Sequence, residues 1–173
     1  MQEIIEKAKK IKLMVFDVDG VLTNGQLFFT EDGTELKAFN SLDGHGIKML
    51  HQAGIDTAII TGRTSKLVIK RAKDLGITHL YQGREDKLQA LQELLAESAL
   101  SLEEVSYVGD DLPDLGAIRA VGLGIAVANA HSFVRENADW QTTLYGGSGA
   151  AREICDLILD AQEQLTPLLE TYL

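Results

Sequence analysis

Two carboxylates two residues apart, Asp17 and Asp19, follow the short apolar run at 13–16 within the stretch KLMVFDVDGVLT (12–23). Further polar groups come in the same way, each after an apolar run. Thr61-Gly62-Arg63 follows 55–60, Lys87 opens a leucine-striped stretch, and Asp110, Asp111 and Asp114 follow 105–108. Each has a bland reading on its own. Asp-Gly and Thr-Gly favour turns, Lys87 suits a solvated helix face, and Asp110-Asp111 suit the cap of the helix after them. Together they suit phosphoryl transfer. An aspartate can take a phosphoryl group as nucleophile, and a second carboxylate can protonate the leaving oxygen and then activate water. A carboxylate nearing a phosphate is repelled by roughly 4 kcal/mol per charge pair at about 4 Å and an effective dielectric near 20. A divalent cation and an ammonium are the remedy. Oxygen ligands from Asp17, Asp110 and a backbone carbonyl near Asp19 suit Mg2+. The Thr61 hydroxyl and the Gly62 N–H suit the transferring phosphoryl oxygens.

These groups must be brought together by the elements that carry them. The run at 13–16, bounded by charge and by Asp-Val-Asp-Gly, reads as a strand buried on both faces. Strands are expected again at 55–60, 78–81, 105–108 and 123–127, with a weak one at 138–142. Helices are expected at 1–10, 47–53, 64–75, 85–98, 112–120, 131–137 and 150–165. Such alternation implies a doubly wound, Rossmann-like α/β fold, a mainly parallel sheet with helices on both faces. In such a sheet the carboxyl ends of the first, second and fourth strands can meet in one crevice. The segment 26–40, with Glu31-Asp32-Gly33 between two extended runs, reads as a β-hairpin insertion. A lone hairpin is marginal in water, so it must pack on the body or on another copy. Asp43-Gly44-His45-Gly46 reads as a glycine-rich lead into the helix at 47–53, and lacks the third glycine of a dinucleotide loop. Gly146 to Gly149 reads as a flexible loop, either a lid over the substrate or a plain entry to the last helix.

At 173 residues the chain is expected to be one domain, 1–173, with no room between motifs for a large cap domain. A net charge of −10 argues against nucleic acid or an anionic membrane as partner. No apolar stretch is long enough to span a bilayer, and residues 1–10 lack the apolar core of a signal peptide. Cys155 is the single cysteine, which suits a reducing compartment. The cytoplasm is the expected location.

With its four motifs in order over essentially the whole chain, the sequence resembles the haloacid dehalogenase-like phosphohydrolase superfamily. The resemblance implies Asp17 as nucleophile, Asp19 as acid/base, Thr61 and Lys87 as phosphoryl-binding groups, and Asp110 completing a Mg2+ site. Asp111 and Asp114 would be supporting carboxylates. The runs GTELKAFN (33–40), DGHGIK, ITGR, LGITHLYQG and GGSGAAREICDLIL resemble more closely the 3-deoxy-D-manno-octulosonate 8-phosphate phosphatase family. That family acts in lipopolysaccharide precursor synthesis as a Mg2+-dependent homotetramer assembled through such hairpins. This closer resemblance implies substrate contacts from Asp19, Asn40, Asp43, Gly44, Lys48, Gly62, Arg63, Arg71 and Lys87. It also implies a C-terminal segment that helps close a neighbour's site. Arg63 and Arg71 are the cations expected to meet a sugar-acid carboxylate, although a basic helix face accounts for them as well. The family often has Arg where this chain has Leu42. A related nine-carbon keto-sugar acid phosphate is therefore an alternative substrate, with Lys48 as a compensating cation. A phospho-receiver domain, which also sets acidic groups, Thr and Lys at strand ends, is disfavoured by the Asp-x-Asp spacing after the first strand.

Overall fold

In a computed structural model describing residues 1–173, the elements run in chain order as follows. Helix α1 is Gln2–Ala8 and β1 is Leu13–Phe16. The hairpin strands are β2, Phe28–Phe29, and β3, Glu35–Leu36. Then come α2 (Ser41–Gln52), β4 (Asp56–Ile60), α3 (Lys66–Leu75), β5 (His79–Tyr81) and α4 (Lys87–Ala96). They are followed by β6 (Val105–Gly109), α5 (Leu115–Ala120), β7 (Leu123–Ala126) and α6 (Ser132–Asn137). The chain ends with β8 (Trp140–Gln141), α7 (Ala150–Ala161) and α8 (Leu165–Glu170).

Six strands form one sheet in the order β5-β4-β1-β6-β7-β8, and every pairing in it is parallel. All four residues of β1 are buried, as a continuous apolar run between two other strands requires. One group of helices, α1, α2, α3 and α7, packs together, and α4, α5 and α6 form a second group. Between them lies the core, dominated by aliphatic side chains with Phe16 and Tyr107 fully buried. No helix is long and apolar enough to cross a membrane. This is the doubly wound α/β architecture expected from the sequence, with the hairpin β2–β3 as a separate two-stranded piece.

Three local expectations are corrected. Helix α2 starts at Ser41, so Asp43 to Gly46 lie in its first turns rather than in a lead-in loop. Asn40 is its cap, accepting the Leu42 N–H at 2.8 Å. Glycine is a poor helix former, but here it permits close packing: a Cβ on Gly46 would come within 3.1 Å of the Cys155 Cβ on α7. The last helix stops at Ala161, because Glu163 takes a left-handed conformation (φ 59°), and a second helix, α8, follows. Finally, the segment 146–149 is a joint rather than a flexible loop. The Gly146 N–H reaches the Asn129 side chain at 2.9 Å and the Gly147 N–H reaches the Val21 carbonyl at 2.9 Å. A Cβ on Gly146 would sit 1.7 Å from the Gly20 carbonyl oxygen, so this loop is seated on the turn that follows β1.

Candidate active site

Because β1, β4 and β6 are adjacent, their carboxyl ends deliver Asp17, Thr61 and Asp110 to one place. A cavity of about 300 Å³ opens there, with no hydrophobic residue in its lining. Asp17, Asp19, Thr61, Gly62, Arg63, Lys87, Asp110, Asp111 and Asp114, all singled out from the sequence, line it. Glu85 and Pro113 line it as well and were not foreseen. Glu85 stands two residues before Lys87, a position that periodicity alone does not mark.

The turn after β1 is shaped by Gly20, whose φ of +95° suits glycine. A Cβ there would lie 2.0 Å from the Asp110 Oδ2, so only glycine lets the two strand ends close on each other. After β6, Asp111 caps a 3-10 turn at Leu112–Asp114 by accepting the Leu112 N–H at 2.8 Å. That turn aims Asp114 inward. Its Oδ1 accepts from the Lys87 ammonium at 2.6 Å and from the Tyr107 hydroxyl at 2.9 Å. Its Oδ2 accepts the N–H groups of Asp110 and Asp111, both at 3.2 Å. Asp114 is thus saturated, and its work is to hold Lys87. The ammonium also lies 3.1 Å from the Asp17 Oδ2. Burial works against the charge on Lys87, but Asp17 and Asp114 outweigh it and raise its pKa.

Oxygens of Asp17, Asp110 and Asp114 lie within 4.8 Å of one another. With all three carboxyls ionised against one ammonium, the site would carry two negative charges. The electrostatic strain is visible in the acids themselves. Burial first, and Asp114 second, push the Asp17 carboxyl up to about 7 and the Asp110 carboxyl likewise up to about 7. An all-oxygen donor set with two uncompensated charges fits a hard divalent cation such as Mg2+. Asp17 and Asp110 are the side chains free to hold it, Asp114 being engaged.

Asp19 lies on the other side of the cavity. Its carboxylate pairs with the ammonium of Lys37, which comes from the hairpin, and lies 3.8 Å from the Arg63 Nε. Arg63 in turn contacts Glu35 at 3.0 Å. Lys37 and Glu35 were not among the residues singled out.

The remaining expected substrate residues are not brought to this cavity within one chain. Asn40 and Arg71 bond to each other's neighbourhood, the Arg71 Nη2 donating to the Asn40 carbonyl at 3.0 Å, with its guanidinium 5.6 Å over the Phe39 ring. Gly44 packs against Arg71, whose Nη2 would lie 2.3 Å from a Cβ at that position. Asp43 is buried, and its Oδ1 accepts the Arg152 N–H at 2.9 Å, capping α7 from α2. Burial raises its pKa. Lys48 is exposed on α2 and apart from the crevice. Leu42 is 58% exposed and lines a shallow cavity that Arg152 also lines and Lys48 does not. In α8 and beyond, Tyr172 folds back on the same chain, its hydroxyl 3.1 Å from the His45 Nε2.

A family model for haloacid dehalogenase-like hydrolases matches residues 78–154. The 3-deoxy-D-manno-octulosonate 8-phosphate phosphatase KdsC of Yersinia pestis is 51% identical over 163 residues, 94% of this chain and 87% of that one. The enzyme of the same name from Escherichia coli K12 is 50% identical over the same shares. A crystal structure of 3-deoxy-D-manno-octulosonate 8-phosphate phosphatase from Moraxella catarrhalis, in complex with magnesium ion, phosphate ion and KDO, superposes with a TM-score of 0.99. It is 49% identical, and the match covers 100% of this chain and 99% of that one. With its four polar strand-end groups gathered in one acidic crevice, this chain belongs to the 3-deoxy-D-manno-octulosonate 8-phosphate phosphatase family of haloacid dehalogenase-like hydrolases.

Proposed function

We propose that this chain is a Mg2+-dependent phosphatase that hydrolyses 3-deoxy-D-manno-octulosonate 8-phosphate to the free sugar acid and inorganic phosphate, in lipopolysaccharide precursor synthesis. The observation that carries this reading is the crevice itself, where Asp17, Lys87, Asp110 and Asp114 lie together with a net charge of two negatives. The Moraxella relative, of nearly identical fold, holds magnesium, phosphate and the sugar acid.

An oxygen of Asp17 attacks phosphorus, the bond from phosphorus to the sugar oxygen breaks, and Asp19 gives its proton to the departing alkoxide. Asp19 then takes a proton from a water that attacks phosphorus, which frees inorganic phosphate and restores Asp17. Lys87, fixed by Asp114, and the Thr61 and Gly62 donors stabilise charge on the phosphoryl oxygens in both steps. Asp17, Asp110 and the Asp19 carbonyl would hold a divalent cation, which would supply positive charge against the repulsion between the Asp17 carboxylate and the phosphate. Arg63 lines the crevice and suits the substrate carboxylate. Asn40, Asp43, Gly44, Lys48 and Arg71 act from outside the single-chain cavity, either as supports of its wall or from a neighbouring copy.

Leu42 favours a second reading, in which the substrate is a nine-carbon keto-sugar acid phosphate. We further propose a homotetramer assembled through the hairpin, supported by the exposure of Leu27, Phe28, Phe29 and Leu36, and a cytoplasmic location, supported by the lone reduced cysteine. The test is phosphate release from a panel of eight- and nine-carbon keto-sugar acid phosphates. Turnover is expected to be fastest on the eight-carbon acid, to stop on chelation, and to be abolished in Asp17→Asn with the fold intact. Faster turnover of a nine-carbon acid would select the second reading, and near wild-type turnover by Asp17→Asn would remove the mechanism.

A further inference from the structure

Lysine is seldom buried unless paired. Lys37 has a side chain only 2% exposed, although it follows a two-residue strand on an otherwise exposed hairpin. The reason is the period-2 alternation of an extended chain. Leu36 points away from the body and is 55% exposed, while Glu35 and Lys37 on either side of it turn toward the crevice. The Lys37 ammonium meets the Asp19 carboxylate and lies 3.3 Å from the Glu35 Oε1. Glu35 also accepts from Arg63 at 3.0 Å, and Arg63 stands 3.8 Å from Asp19. Two cations and two carboxylates thus close a ring, with Asp19 as its member in the crevice. The nucleophile, by contrast, is served by a separate cation, Lys87.

We propose that Lys37 is a positioning residue for Asp19. The hairpin supplies an ammonium that fixes the ionised Asp19 carboxylate in the orientation from which it takes a proton from the attacking water, and Glu35 holds Lys37 in place. An acid/base group must sit within hydrogen-bond reach of the proton that it moves, and a misplacement of about 1 Å can cost on the order of 10²-fold. A carboxylate at the end of a turn, with no partner, samples several rotamers. One bound to a buried ammonium does not. This inference rests on the reading of Asp19 as the acid/base group.

The experiment is steady-state kinetics on the full-length assembled enzyme with Mg2+, for Lys37→Met, Lys37→Arg, Glu35→Gln, Asp19→Asn and the Lys37→Met/Asp19→Asn double variant. Lys37→Met is expected to lower kcat by about 10²-fold with KM changed less than about threefold. Lys37→Arg is expected to recover part of that loss, and Glu35→Gln to show a smaller loss in the same direction. In the double variant, Lys37→Met is expected to cost nothing beyond Asp19→Asn, since it acts through that carboxylate. Melting temperature and sedimentation of each variant are read alongside. If Lys37→Met alone alters assembly, Lys37→Arg and Glu35→Gln decide the matter, and wild-type kcat in both overturns the proposal. A raised KM with unchanged kcat overturns it in favour of a substrate contact. Wild-type kinetics for Lys37→Met beside an inactive Asp19→Asn overturns the Lys37 role alone, whereas wild-type kinetics for both removes the acid/base reading itself.

Discussion

The two sides of the crevice are built in opposite ways. On the sheet side, Asp17, Lys87 and Asp114 stand on buried strand and helix ends, and their side chains are no more than 6% exposed. On the hairpin side, Glu35 lies in, and Lys37 just after, a pair of two-residue strands whose apolar residues, Phe28 and Leu36, face each other across the ladder in the open. The sheet side holds charge that water cannot screen, which suits the phosphoryl group and its cation. The hairpin side has no core of its own. It is held by ion pairs to Asp19 and Arg63 on one face, and Phe28, Phe29 and Leu36 lie exposed on it. In the assembly proposed above, chemistry and subunit contact are joined at this one small element.

The comparison is tested most severely on the sheet side. Lys87→Ala removes the one ammonium among three carboxylates and is expected to lower kcat by about 10²–10³-fold, since such preorganised charge is worth that much in a water-poor site. A loss below about tenfold, measured at saturating substrate, would mean that the buried half is scaffold rather than chemistry.

A smaller effect is expected on the hairpin. Phe28→Ser removes an exposed side chain whose burial is worth about 1.5–3 kcal/mol. The subunit dissociation constant is then expected to rise by about ten- to a hundredfold, read by sedimentation over a dilution series. An unchanged constant would place the interface elsewhere.

The smallest effect is thermal. Asp17 and Asp110 have folded-state pKa values of about 7, above the usual 3.8. The folded protein therefore keeps protons that the unfolded chain gives up. The stability that these two groups contribute is full below about pH 4 and is lost as pH rises through about 7. In a chelator, the melting temperature is expected to fall between pH 5 and pH 8, and Asp110→Asn to flatten that fall. His51, whose pKa is lowered by burial, acts in the opposite direction, so the difference between wild type and Asp110→Asn is the quantity to read. Since cation binding needs ionised carboxylates, the rise in melting temperature on adding Mg2+ is expected to grow from pH 5 to pH 8. A rise that is constant with pH would count against Asp17 and Asp110 as ligands.

The sheet side was legible in the sequence because its signals are local. An apolar run ending in Asp is a strand end whatever the rest of the chain does, and several such ends in parallel order converge by topology. The hairpin side was legible only as a hairpin. Glu35-Leu36-Lys37 reads like any solvated strand, and the buried ammonium of Lys37 is paired with Asp19, which lies far from it in sequence. The first turns of α2 were misread because glycine argues for a loop, whereas here its lack of a side chain lets α2 lie on α7 at Cys155. The break after Ala161 carries no Gly or Pro; it is made by Glu163 in a conformation that such residues seldom adopt. Asp43 and Arg71 were expected at the substrate. Within one chain Asp43 ties α2 to α7, and Arg71 ties α3 to the segment at Phe39 and Asn40.

Gly20 is pressed between the Asp110 carboxylate on one side and Gly146 on the other, each too near for even a methyl group. Three stretches of chain that are remote in sequence are thereby riveted at a single atom-wide seam. An added carbon at Gly146 would press on the Gly20 carbonyl, and one at Gly20 on the Asp110 carboxylate, so a lesion near the start of the last long helix falls on the same turn that bounds the crevice.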